Sequence, residues 1–209
     1  RNAAGTDDAG AETGGAAVKE RPILFSASMV RAILDGRKTQ TRRIVKPQPD
    51  IVADGGLVVG VSTPEDQKYG RLGKALPCPY GKPGERLWVR ESWAWYGCEY
   101  IPSDVVYRAD TESLPGEYGR WRPSIHMPRW ASRITLEITE VRVERLHDIS
   151  DDDIKAEGIF DDPAVVSGER EGSILTLAGK RIAFEDLWES INGPDSWDEN
   201  PWVWVVGFR

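Results

Sequence analysis

The sequence predicts an α+β fold: a small, partly closed β-barrel with helices at its rim, built as one domain over residues 20–209. Three observations predict it. Ile134, Leu136 and Ile138 alternate on even positions and Val141 and Val143 on odd ones, so the parity flips near Thr139-Glu140. Such a flip is the mark of a bulge or sharp bend that turns a barrel corner. Trp202 to Phe208 is apolar at nearly every position, the pattern of a strand covered on both faces. Helical patterns are few, short and amphipathic, and long connections separate them, which suits helices set at the rim of a barrel.

Residues 1–19 are rich in Ala and Gly, with Thr and Asp between them and nothing apolar larger than Val18. This stretch cannot offset its ordering entropy and is expected to be a flexible tail; it also lacks the apolar centre of a secretory signal. Ser26 to Gly36 reads as a helix, with Ser26 as N-cap and Met29, Val30, Ile33 and Leu34 on one face. Gly36 sits where a left-handed residue ends helices. From Asp50 to Pro83 the pattern weakens into an excursion or loop, closed by the turn-rich Pro77-Cys78-Pro79-Tyr80-Gly81-Lys82-Pro83-Gly84.

Arg86 to Ser92 follows as a strand. Leu87, Val89 and Glu91 share one parity, with Trp88 and Arg90 on the other. If Leu87 and Val89 face the core, Glu91 is carried inward, where a carboxylate must be paired or raised in pKa. The alternative ends the strand at Arg90 and lets Glu91 reach water. Val105 to Ala109 reads as a short strand, and Trp121 to Trp130 as an irregular, aromatic and basic stretch. Ser150-Asp151-Asp152-Asp153 opens a short helix that ends near Gly158. Residues 160–179 read as a loop. A second amphipathic helix covers roughly 182–191, with Phe184, Leu187, Trp188 and Ile191 at core spacing.

The chain has 209 residues, nine tryptophans and a net charge of −7. That length supports one good-sized core. Its acidity argues against coating nucleic acid by charge alone but allows a local basic cleft. No apolar run is long enough for a membrane span. Cys78 and Cys98 form no Cys-x-x-Cys pair, and His126 and His147 are the only histidines, so neither a metal site nor a cofactor is expected. A cytoplasmic location is the expectation for such cysteine usage. The acidic residues from Asp148 to Asp162 read as helix capping and solvated surface.

Against this background Gly36-Arg37-Lys38-Thr39-Gln40-Thr41-Arg42-Arg43 stands out. From Arg31 to Lys46 there are six Lys/Arg and one Asp, a local charge of +5. A site for an anion or a polar nucleoside-like group would account for it; a solvated basic edge is the plain alternative. Lys38 and Thr41 point opposite ways on an extended chain, so joint work by the two requires a non-extended segment.

The spacing Gly36-x-Lys38-x-x-Thr41-x-Arg43 after a helix, together with Leu87-Trp88-Val89-Arg90-Glu91, resembles the ASCH family of the PUA-like superfamily. Arg21-Pro-Ile-Leu-Phe-Ser, Pro128-Arg129-Trp130-Ala-Ser-Arg-Ile and the Trp-rich C-terminus resemble the longer ASCH proteins of bacteriophages and prophages, with insertions here near 50–80, 96–130 and 160–180. The resemblance implies a β-barrel with a cleft beside the signature loop. It implies binding of RNA or DNA, or, as in small bacterial members, an amidohydrolase that deacylates N4-acetylcytidine. Carried over by motif, the catalytic residues are Lys38, Thr41 and Glu91.

In the hydrolytic version Lys38 takes a proton from Thr41 or water, and Glu91 orients the group or relays a proton to the leaving amine. Desolvation with Arg37, Arg42 and Arg43 nearby would depress the pKa of Lys38, and Glu91 would oppose that. In the binding version Lys38 and Arg43 hold a phosphate, and Glu91 accepts from an exocyclic amine. Arg37, Arg42, Arg43, Arg90, Trp93 and Arg129 are the ligand-binding candidates, and Trp95, Trp121 or Trp130 are further candidates to stack on a base. The first reading is recognition of a nucleotide, modified nucleoside or nucleic-acid segment. The rivals are the amidohydrolase and a phage accessory or assembly protein working through protein contacts.

Overall fold

The structure is a computed structural model that describes residues 18–49, 51–53, 57–59, 65, 68, 76–95, 105–111, 113, 120–159 and 177–209. Residues 1–17 of the expected 1–19 tail and most of the expected 160–179 loop lie outside the described residues. In chain order the elements are β1 (Glu20–Leu24), α1 (Ala27–Leu34), β2 (Gln40–Ile44), β3 (Ile51–Ala53), β4 (Leu57–Val59), β5 (Arg86–Arg90), β6 (Trp93–Trp95), β7 (Val105–Tyr107), β8 (Thr135–Arg145), α2 (Asp151–Ala156), α3 (Leu177–Asn192) and β9 (Trp202–Phe208).

The fold is mixed α+β. Its main sheet has five strands in the order β1-β5-β8-β9-β2, with β1 parallel to β5 and every other neighbour antiparallel. Two small ribbons, β3-β4 and β6-β7, stand apart from it. The parity flip in β8 is a real irregularity: the register with β9 shifts between Ile138 and Glu140. Before the shift β8 pairs with β5 and after it with β9, so one long strand serves both halves of the sheet. β9 lies between β8 and β2 and is buried from Val203 to Phe208, as its unbroken apolar run requires.

The two faces of β9 feed two cores. Trp204, Val206 and Phe208 join Ile23, Val30, Leu87, Val89 and Leu136 on one side. Val203 and Val205 join Ile154, Phe184, Trp188 and Trp197 on the other. A strand placed between two helix-covered layers must be apolar on both faces, since each buried Val or Phe contributes about 1.5–3 kcal/mol of transfer free energy. α3 begins earlier than its core spacing indicates, at Leu177.

Besides β2, four strands went unread in the sequence. β1 carries a proline and alternates only weakly, β6 is three residues long, and the β3-β4 pair hides in the expected 50–83 loop as Ile-Val-Ala and Leu-Val-Val triplets. One local expectation is corrected. A non-extended Lys38–Thr41 segment would have brought those two side chains together, but β2 is an extended edge strand from Gln40 onward, paired residue by residue with β9. The backbone donors that would have closed a turn there are committed to the ladder.

Candidate functional site

The site starts at the end of α1. Ser26 accepts a hydrogen bond from the Met29 amide and sets the helix start. At the other end Gly36 has φ of 69°. The Arg37 amide bonds the Ala32 carbonyl at 2.8 Å and the Gly36 amide the Ile33 carbonyl at 3.0 Å. This paired closure is the Schellman arrangement, which stops the helix within one residue. The chain then turns directly into Lys38, whose own amide also reaches the Ala32 carbonyl at 2.9 Å.

α2 supplies the opposing wall. Ser150 and Asp153 form a reciprocal capping box at its start. At its end Gly158, at φ of 86°, turns the chain so closely over α1 that a Cβ there would lie 3.1 Å from the Cβ atoms of both Ala32 and Lys38. The turn presents Glu157 to Lys38 as an antiparallel bridge, and the Thr39 amide bonds the Ala156 carbonyl at 2.9 Å.

Lys38 is thereby enclosed. Its Nζ donates to Glu157 Oε2 at 2.7 Å and to the Glu157 carbonyl at 2.8 Å, with the Phe25 ring centroid 5.7 Å away. Burial pushes the Lys38 ammonium below its ordinary pKa. Glu157 opposes this by charge and hydrogen bond, while Arg43 and Arg42 add to the depression. The depression expected from the sequence is present. The carboxylate that resists it is Glu157, where the sequence reading placed Glu91.

Lys38, Gln40 and Arg42 share a parity, and their face is a charge network. Arg42 Nη1 donates to Glu157 Oε1 at 3.2 Å, its Nη2 contacts Glu144, and Asp153 Oδ2 lies 3.1 Å from the same nitrogen. Arg142 ties Glu144 at 3.1 Å, Asp153 at 2.7 Å and Gln40 at 3.2 Å into the same cluster. Burial alone would raise Asp153, but hydrogen bonds from Ser150 and Arg142 and the charge of Arg42 hold its carboxyl well below the ordinary range.

Thr41 and Arg43 occupy the opposite face of β2. The Thr41 hydroxyl is fully buried and has no hydrogen-bond partner among the described residues. Arg43 reaches across from β2 to β1, donating to the Leu24 carbonyl at 2.9 Å and to the Arg42 carbonyl at 3.1 Å, with Tyr80 also bonded to it and the Phe25 ring 5.3 Å away. Burial pushes its guanidinium down from its ordinary value. Among the described residues no carboxylate lies within ion-pair distance of Arg43.

A cleft of about 430 Å³ opens here, within the usual size for a small-molecule site. It is lined by Phe25, Arg42, Arg43 and Glu157, by Phe184 and Trp188 of α3, and by Ser92 and Ser124. Lys38 is not on the wall: it stands behind Glu157 and holds it. Comparisons with protein-family models, with curated proteins and with solved structures return no match.

The remaining candidates divide sharply. Glu91 does go inward, 1% exposed, on the parity of Leu87 and Val89 although the strand itself ends at Arg90. There it meets Arg133, with Nε 3.0 Å from Oε1 and Nη2 3.2 Å from Oε2. Burial raises its pKa, Arg133 opposes this, and Asp110 on the far side of Arg133 adds to the rise. Among the described residues no hydrogen bond or ion pair joins Glu91 to Lys38 or Thr41. Arg90 donates to the Met127 carbonyl at 3.1 Å and to that of Ile125, pinning that loop. Arg37 pairs with Asp35 at 2.8 Å, and Arg129 with Glu20 at 2.9 Å. Trp93 is 2% exposed and packs inside a tryptophan cluster. Of the six ligand-binding candidates, Arg42 and Arg43 line the cleft. Glu157 was missed because a lone Glu at the end of an acidic helix carries no pattern that separates it from Asp151 or Asp152.

Proposed function

We propose that the protein is an ASCH-type, PUA-like domain that recognises a nucleotide, a modified nucleoside or a nucleic-acid segment in this cleft. The observation that carries the reading is Arg43, a cleft cation held by carbonyls and a tyrosine with no carboxylate partner among the described residues. An anionic group such as a phosphate complements it. Glu157 supplies the other half. Its two oxygens each receive one cationic donor, which leaves acceptor capacity for an exocyclic amine, as carboxylates accept from cytosine N4. Phe25 and Trp188 provide apolar walls of the kind that enclose a base. In this reading the β-sheet is a partly closed barrel whose opening lies between β1 and β2, the gap that Arg43 spans.

The second reading is the amidohydrolase, and the depressed Lys38 behind a cleft-lining carboxylate favours it. Glu157 then takes the proton from an attacking water, and Lys38 stabilises that carboxylate and helps return the proton to the leaving amine. Glu157 fills the proton-accepting role first assigned to Lys38, and Lys38 the relay first assigned to Glu91. A panel of nucleotides and N4-acylcytidines, assayed for both binding and product release, separates the two. Recognition predicts saturable binding without turnover and its loss in Glu157→Gln. Product release abolished by Glu157→Gln and by Lys38→Met would establish the hydrolase instead. A protein that neither binds nor converts any member of the panel would end both readings.

A further inference from the structure

Beside the cleft the molecule displays a second aromatic and basic feature that neither reading above uses. Residues 120–133 contain four arginines and no carboxylate in a chain whose net charge is −7. This stretch is held to β6 through a two-way backbone pairing: the Arg122 amide bonds the Trp93 carbonyl at 2.7 Å, and the Trp93 amide the Arg122 carbonyl at 3.2 Å.

Buried Trp93 is the hub. Trp95 packs on its ring at 5.5 Å between centroids, Trp130 at 5.9 Å and the Arg122 guanidinium at 5.2 Å. Trp95 and Trp130 lie 4.9 Å apart at 37° to each other. Trp130 is nevertheless 51% exposed and Ile125 54% exposed. An indole packed against two others and still half exposed offers stacking surface whose ordering cost is already partly met. Its charge is only partly spent on internal pairs. Arg129 and Arg133 are paired, but Arg90, Arg120 and Arg122 have no carboxylate within ion-pair distance among the described residues. Ser92 and Ser124, which line the cleft, are the chain neighbours of Trp93 and Ile125. The segments that carry the platform therefore also reach the cleft.

We infer that the ligand is a single-stranded nucleic acid, one nucleotide of which occupies the Arg43/Glu157 cleft while an adjacent base stacks on Trp130 and a phosphate meets Arg122. This rests on the nucleotide reading of the cleft and narrows it from a free nucleotide to a strand. Stacking on an exposed indole is tolerant of sequence, and isolated arginines beside it follow the backbone, which is the combination single strands require. A duplex keeps its bases stacked on each other and cannot use the indole.

The experiment compares a nucleoside monophosphate with fluorescent single-stranded RNA and DNA dodecamers and a duplex of the same sequence, using the full chain. The strand should bind more tightly than both the monophosphate and the duplex. Trp130→Ala should weaken strand binding at least about fivefold, from the 1–3 kcal/mol typical of one stacked base, and leave monophosphate affinity in place. Arg122→Gln should reduce the slope of log K against log salt by about 0.7, the value for one phosphate contact to a single strand. If the monophosphate binds but the dodecamer binds no tighter, or if both variants bind the strand as the parent does, the strand proposal is overturned and the cleft reading stands. If neither ligand binds, the cleft reading itself has failed. A self-association abolished by Trp130→Ala, with no gain for the strand, would assign the platform to a protein contact and overturn the proposal.

Discussion

Lys38 and Glu157, more than a hundred residues apart in sequence, meet as an ion pair of 2.7 Å whose side chains are 0% and 5% exposed. The pair joins the end of α1 to the end of α2 and sets the carboxylate on the cleft wall. Each charge is tolerable only because the other is present.

Removing one partner is therefore expected to cost more than removing both. Glu157→Ala leaves Lys38 and one donor of Arg42 buried without their carboxylate and should destabilise the protein by about 3–5 kcal/mol. Lys38→Met combined with Glu157→Leu should recover a good part of that loss. Urea unfolding of Lys38→Met, Glu157→Leu and the double variant measures the coupling. Additive losses would show that the two side chains do not depend on each other.

Asp153 and Glu91 should give opposite pH dependences. The Asp153 carboxyl is depressed below its ordinary 3.8, so the stability it contributes is complete above that value and lost as pH falls towards its folded one. Asp153→Asn should accordingly cost stability at neutral pH, with the gap to the parent closing below pH 3.8. Glu91 is raised above 4.5, so its contribution is present below 4.5 and is lost as pH rises through the folded value. The cost of Glu91→Gln should shrink between acid and neutral pH. Denaturant titrations at a series of pH values read both effects, and parallel profiles for the two variants would contradict these assignments.

Much of the scaffold was legible in the sequence because its elements carry local signals. The Ser26 cap, the Gly36 stop, the parity flip in β8 and the unbroken apolar run of β9 each leave a mark within a few residues. For Glu91, parity offered an inward place beside the alternative of reaching water, and the structure takes the inward one. The partners were not legible. Arg133 for Glu91 and Glu157 for Lys38 are fixed by how β5, β8, α1 and α2 pack, and no spacing in the chain encodes that. The strand character of Gln40–Ile44 was hidden for a related reason. Four of its five residues are polar, and of these Gln40 and Arg42 are buried because Asp153, Glu144 and Glu157 meet the face that carries them.

Gly158 should not tolerate a side chain. Its φ of 86° disfavours any L-residue, and the added Cβ would press on Ala32 and Lys38 at 3.1 Å. Gly158→Ala is expected to lose about 1–3 kcal/mol and to displace Glu157 from Lys38. Thermal unfolding beside a ligand titration would show both losses together. A variant as stable as the parent would mean that the turn is free to relax.

Ser150→Ala removes the hydroxyl of the capping box and one of the bonds that depress Asp153. A loss of about 1 kcal/mol is the expected cost of such a cap. The Asp153 titration, followed by NMR, should move upward with it. An unchanged Asp153 would place the cause of its depression wholly with the arginines.

The most direct test of the account is calorimetric titration of the parent and of Arg43→Met with a nucleoside and its monophosphate, with unfolding curves confirming that the variant is folded. The account predicts that the parent prefers the monophosphate, that added salt erodes the preference, and that Arg43→Met binds the two compounds alike. A parent that does not distinguish them, or a folded Arg43→Met that keeps the full preference, would contradict the assignment of this cleft to an anionic nucleotide.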